Sequence, residues 1–96
     1  MTTVLAVSLD DRSGRIDHHG ARPMYDQVAT DIAADITSGA LAPGARLPTE
    51  IELAAQYQVS RVTIRRAVKE LSGRGLIVVS HGRGTFVTER EAPRWP

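Results

Sequence analysis

Apolar residues recur along this chain at helical spacing three times and then give way to two β-branched runs. Tyr25, Val28, Ala29, Ile32 and Ile36 fall on one stripe of a helix that Pro23 can open and Gly39 ends. Leu53, Ala54 and Tyr57 form a second, shorter apolar face. Thr49-Glu50-Ile51-Glu52 introduces it as a capping box, in which Thr49 and Glu52 satisfy each other's backbone amides. Gln58-Val59 make a tight turn, and Ser60 is the N-cap of a third helix whose inner stripe is Ile64, Ala67, Val68 and Leu71. Gly73 and Gly75 stop that helix. Leu76-Ile77-Val78-Val79-Ser80 and Thr85-Phe86-Val87-Thr88 then read as two strands across His81-Gly82-Arg83-Gly84, a hairpin with a glycine-rich tip. The pattern predicts a mainly α chain: three helices plus a two-stranded antiparallel hairpin.

The remainder lacks periodicity. Residues 1–22 read as a flexible arm with Val4-Leu5-Ala6-Val7 as a lone strand, 23–88 as the folded domain, and 89–96 as a tail containing Pro93 and Pro96. A chain of 96 residues makes one small domain with a modest core, which argues against a large catalytic cleft. The absence of cysteine excludes a disulfide framework and a thiolate metal site, and suits a cytoplasmic setting. The longest apolar runs, Val4 to Val7 and Leu76 to Val79, are far too short for a membrane span, and the amino terminus has no secretory-signal pattern.

Charge sharpens the picture. With 12 Lys+Arg and 11 Asp+Glu, the net charge of +1 names no partner by itself. Its distribution is uneven: Met24 to Ala45 holds Asp26, Asp31 and Asp35 with no base, whereas Arg46 to Arg83 holds seven bases against three acids. Such polarity is a footprint expected of a nucleic-acid binder.

Helix, short turn and helix is the helix-turn-helix arrangement, whose second helix enters the major groove. Here that helix, 60–72, carries Arg61, Val62, Thr63, Arg65, Arg66 and Lys69 off its apolar stripe. Arg61 and Arg65 are i,i+4 neighbours and project from one side near the N-terminus. A guanidinium there can pair with the O6 and N7 of guanine. Thr63 offers a hydroxyl or methyl, and Ser60 with the first-turn amides suits a phosphate.

The stretch from Pro23 to Val87 resembles the DNA-binding domain of the GntR family of bacterial transcription regulators. The resemblance rests on Tyr25-Asp26-Gln27-Val28-Ala29, Leu41-Ala42-Pro43-Gly44, Arg46-Leu47-Pro48-Thr49-Glu50, Val59-Ser60-Arg61-Val62-Thr63-Ile64-Arg65 and Gly82-Arg83-Gly84-Thr85-Phe86-Val87. It implies a winged helix-turn-helix, mainly α with a small β wing. It also implies that Arg61, Thr63 and Arg65 contact an operator, that Ser60 meets phosphate, and that His81, Gly82 and Arg83 reach the minor groove from the wing, 76–88. Val62, Arg66, Lys69, Thr49 and Arg46 complete the candidate DNA-contact set. The motif spelling is most similar to the branch that carries a UTRA-type ligand-binding domain.

Three departures stand out. Ile51 replaces an arginine common in the family, which removes a polar contact. Gln58 stands where glycine is common in the turn. The chain ends nine residues after Val87, where the family normally adds an effector-binding, dimerising domain. This leaves two readings, a minimal regulator or an excised domain, and no effector site is evident in either.

Other features are expected to be ordinary. Tyr25, Tyr57 and Phe86 are assigned to the core, Phe86 packing the wing onto the helices. Gly82-Arg83-Gly84 lacks the following helix of a dinucleotide fingerprint. Asp17-His18-His19 lacks the spacing of a closed metal site, so those residues should be solvated. Asp31 and Asp35 belong on the outer face of the first helix, with nothing to equip them for acid–base work. The expected function is sequence-specific binding of double-stranded DNA by a transcription regulator, most simply a repressor, acting without metal, cofactor or catalysis. Its operator should be palindromic, with homodimerisation on the DNA. The rival from another class is a winged-helix protein-interaction adaptor.

Overall fold

The computed structural model of the protein describes residues 11–89. A single 3-10 turn at Ser13–Arg15 is followed by α1 (Met24–Ser38), α2 (Glu50–Tyr57), α3 (Arg61–Gly73), β1 (Ile77–Ser80) and β2 (Gly84–Val87), the strands pairing antiparallel. The three helices and the hairpin follow the periodicity of the sequence.

Each boundary has a local cause. Gly39 ends α1 in the left-handed region at φ +89°, and the Leu41 amide reaches back to the Asp35 carbonyl at 3.0 Å. At α2 both bonds of the capping box form: the Thr49 amide donates to Glu52 Oε1 at 2.8 Å and the Glu52 amide to Thr49 Oγ1 at 3.1 Å. Gln58 does take the left-handed conformation, at φ 56° and ψ 54°. A side chain there costs roughly 1–2 kcal/mol relative to the right-handed region. Ser60 caps α3 by accepting from the Thr63 amide at 3.1 Å.

Val28, Ile32, Leu53, Tyr57, Ile64 and Leu71 are the centre of the core, contributed by all three helices. The wing docks on it through the paired residues Ile77 and Val87, both buried. Phe86 differs from expectation. It pairs with the exposed Val78 on the other face of the two-stranded sheet, because a strand alternates its faces and Val87 has taken the inward one. The wing also has an unforeseen third rung. Residues 45–47 lie along β2, with Arg46 bridging Phe86, Leu47 N–H donating to the Thr85 carbonyl at 2.8 Å and Val87 N–H to that of Ala45 at 2.8 Å. Three residues before Pro48 are too few to announce a strand by pattern.

The flexible arm expected over 1–22 does not hold for its second half. Ile16 joins the buried core, and the Arg12 amide donates to the Gln56 carbonyl at 2.7 Å. The Arg12 side chain reaches Asp35 at 2.9 Å, Asp31 at 3.3 Å and the Tyr57 hydroxyl at 3.2 Å. The apolar anchor Ile16, with Arg12 and Arg15 facing two carboxylates, straps this segment across α1 and α2. The lone strand expected at Val4 to Val7, and the tail from 90 onward, lie outside the described residues.

Candidate nucleic-acid interface

On α3 the buried residues are Ile64, Ala67 and Leu71, so the opposite pole of the helix is free of the core. Successive residues turn by about 100°, which sends Arg65, Lys69, Val62 and Arg66 to that outward pole and leaves Arg61 and Thr63 at its flanks. All except Thr63 are exposed. Their surroundings differ. Arg65 makes a two-pronged contact with Glu50, Nε to Oε2 and Nη2 to Oε1, both at 3.2 Å, and Arg61 Nη2 lies 3.5 Å from the same Oε1. Arg66 lies over the ring of Tyr25 at 4.2 Å, so half-buried Tyr25 both packs on the core and carries a cation. Ser60 Oγ and Thr63 Oγ1 are 3.1 Å apart, and Ser60 is already engaged as the cap. Thr49 is likewise engaged by its capping box.

Glu50 is absent from the candidate set drawn from the sequence. It sits at the first turn of α2, facing α3, where one carboxylate gathers both Arg61 and Arg65. The hydrogen bond from Arg65 holds its carboxyl below the usual carboxylate range. The signal was available in principle, since an acid opening one helix of this motif faces bases opening the next. Yet the partners lie 11 and 15 residues away, beyond any local spacing rule.

The wing presents His81, Gly82 and Arg83 at its exposed tip. The Arg83 amide closes the turn onto the Ser80 carbonyl at 2.9 Å, with Gly82 at φ +79° in the position of a tight turn that favours glycine. At the base of the wing the Arg46 guanidinium crosses Gly84 so closely that a Cβ there would lie 2.8 Å from Arg46 Nε. Between α3 and the wing runs a groove of about 560 Å³, bounded by Arg65, Val68, Lys69, Val79 and Thr85 over a floor of Leu47 and Leu53. Among the described residues Arg46, Lys69 and Arg83 have no carboxylate within ion-pair distance.

The acids of α1 have a different fate. Asp31 and Asp35, expected on the outer face of the first helix, each have only 19% of their side chains exposed and are bridged by Arg12 and Arg15, while Asp26 pairs with Arg22 at 2.6 Å. His18, expected to be solvated, places Nε2 2.8 Å from the Tyr57 carbonyl. The apparent acidic pole of α1 is therefore largely neutralised from within, whereas Arg66 and Lys69 on α3, with Arg46 and Arg83 beside and on the wing, have no carboxylate partner among the described residues. That arrangement suits a polyanion.

A basic outward helix following a tight turn, beside a basic hairpin tip, defines a winged helix-turn-helix of the DNA-binding class. The chain belongs to the GntR family: residues 24–87 match the model of "Bacterial regulatory proteins, gntR family". It is 48% identical over 67 residues to the "Histidine utilization repressor" of Klebsiella aerogenes, an alignment covering 70% of this chain and 28% of that protein. The structure is similar to that of the DNA-binding domain of AraR in complex with operator ORX1, with TM-score 0.70, 38% identity and coverage of 76% of this chain and 92% of that one. It also resembles YtrA from Sulfolobus acidocaldarius, "a GntR-family transcription factor", with TM-score 0.73, 36% identity and coverage of 79% and 80%. The chain spans a third or less of the length of curated relatives such as the Klebsiella repressor. No helix among the described residues is long and apolar enough to cross a membrane.

Proposed function

We propose that this chain binds double-stranded operator DNA as a transcription regulator, α3 lying in the major groove and the wing tip against the backbone and minor groove. One observation carries the reading: the uncompensated positive charge collects on the outward pole of α3 and on the wing beside it. In the free protein Glu50 holds Arg61 and Arg65 as a preformed fork. On DNA the fork opens onto guanine edges, the guanidinium groups exchanging one shared carboxylate for the O6 and N7 acceptors. Arg46, Lys69 and Arg83 serve phosphates, and the Ser60 cap with the first-turn amides of α3 seats another. Thr49, Thr63, Arg66, His81 and Gly82 frame these contacts.

Repression is the mode favoured by the names of relatives such as the histidine utilization repressor. Two copies on a palindromic site, in the cytoplasm and without any catalytic step, complete the proposal. In-vitro selection of the intact chain on a random duplex library tests it. A two-fold symmetric enriched motif supports pairing on DNA. A single half-site supports binding by one copy and removes the dimer. No enrichment at moderate salt overturns DNA recognition in favour of a protein-interaction adaptor. Binding of the enriched duplex should weaken with salt, with a log–log slope of about −0.9 per phosphate neutralised.

A further inference from the structure

Two large apolar side chains stand exposed at the opening turns of α2 and α3: Ile51 is 62% exposed and Val62 is 66% exposed. Both are β-branched, which lowers helix propensity, and neither recovers that cost by packing in the free protein. The other exposed large apolar residues, Val78 and Val79, belong to the wing, where Val78 pairs with Phe86 and Val79 bounds the groove. Ile51 and Val62 instead flank the charged contact between the helices, Ile51 following Glu50 at the start of α2 and Val62 following Arg61 at the start of α3. Val62 points out along the pole of α3 between cations. A lone exposed valine on a surface needs no explanation. Two at the opening turns of both helices of the motif, one of them between the cations of α3, call for an apolar group on the partner.

The major groove offers one such group at base-pair edges, the C5 methyl of thymine. Resting on the DNA-binding reading above, we infer that Ile51 and Val62 are specificity-determining residues that read thymine methyls beside the guanines paired by Arg61 and Arg65. Arg61 and Arg65 are about 6 Å apart along the helix axis, close to two base-pair steps. The thymine read by Val62 therefore falls within one or two base pairs of a guanine.

The test replaces thymines of the selected operator one at a time by deoxyuridine, which removes the methyl and leaves the hydrogen-bonding edge unchanged. Affinity is measured for the wild-type chain and for Val62→Ala and Ile51→Ala. Alanine is the better helix former at both positions, so both variants fold. The expected result is a loss of about fourfold at particular thymines, the value of one buried methyl-sized group. That loss disappears at one thymine in Val62→Ala and at another in Ile51→Ala. Silence at every thymine, or wild-type penalties retained by both variants, overturns the inference while the operator still binds. Failure to select any operator is a different outcome and overturns the DNA-binding reading itself.

Discussion

Arginines do opposite work at the two ends of this domain. Arg12 keeps only 16% of its side chain exposed and faces two carboxylates and a phenol, whereas Arg65 keeps 59% exposed and shares one carboxylate with Arg61. In the first place the acids outnumber what one guanidinium can neutralise, and Arg15 has to help. In the second the bases outnumber the acid. The residue type is the same; the local balance of partners and the depth of burial decide whether it holds the fold or faces outward for a ligand.

The largest expected effect breaks the inward set. Arg12→Ala leaves Asp31 and Asp35 half-buried with Arg15 as their cation among the described residues and the Tyr57 hydroxyl on Asp31, and should cost roughly 2–4 kcal/mol of stability in urea unfolding. Operator affinity of the folded fraction should stay close to that of wild type. The mirror experiment is Arg65→Ala. It should cost about 1–3 kcal/mol of operator affinity and relax base preference, yet shift stability by under about 0.5 kcal/mol, as expected for an exposed ion pair. A large stability loss in Arg65→Ala, or a specific affinity loss in Arg12→Ala, would break the division.

A smaller effect sits between the two sets. Gln58 joins Tyr57, which the strap holds, to Ser60, which opens α3. Gln58→Gly should relieve the left-handed strain and raise stability by about 1 kcal/mol. If affinity rises with it, strain at the turn is felt at the DNA face. The subtlest test is alkaline. Burial, together with the hydrogen bond donated to Asp31 at 2.6 Å, pushes the Tyr57 phenol above its ordinary range. Tyrosines of the unfolded chain ionise near pH 10, at about their model value, while folded Tyr57 stays neutral. Its contribution is therefore complete below about pH 10 and is lost as pH climbs towards the raised folded value. Tyr57→Phe should flatten that part of the unfolding free energy against pH.

Much of the architecture is legible in local pattern. The stripes of α1 and α3, the capping box at Thr49 and the Ser60 cap act within a few residues, which is the range over which sequence spacing reports structure. What escapes is non-local. Arg12 meets its acids 19 and 23 positions away, Glu50 meets Arg65 across a helix crossing, and residues 45–47 form a bridge only because β2 lies alongside. Phe86 shows the related limit: its hydrophobicity is plain in the sequence, but which face of the wing it takes depends on the register with β1. At the candidate site the outward residues of α3 could be named from helical phase alone. Their partners Glu50 and Tyr25 could not.

The rung formed by residues 45–47 has a mechanical consequence. It stitches the chain entering the helix-turn-helix to the base of the wing, with Arg46 lying over Gly84. Helix and hairpin are thereby the two jaws of a calliper whose gap is set in the folded protein. If α3 and the wing both hold the duplex, as proposed above, the duplex supplies the adjustment, through groove width and bend. Sequences that flex cheaply, such as pyrimidine–purine steps, would gain preference at positions the protein never touches.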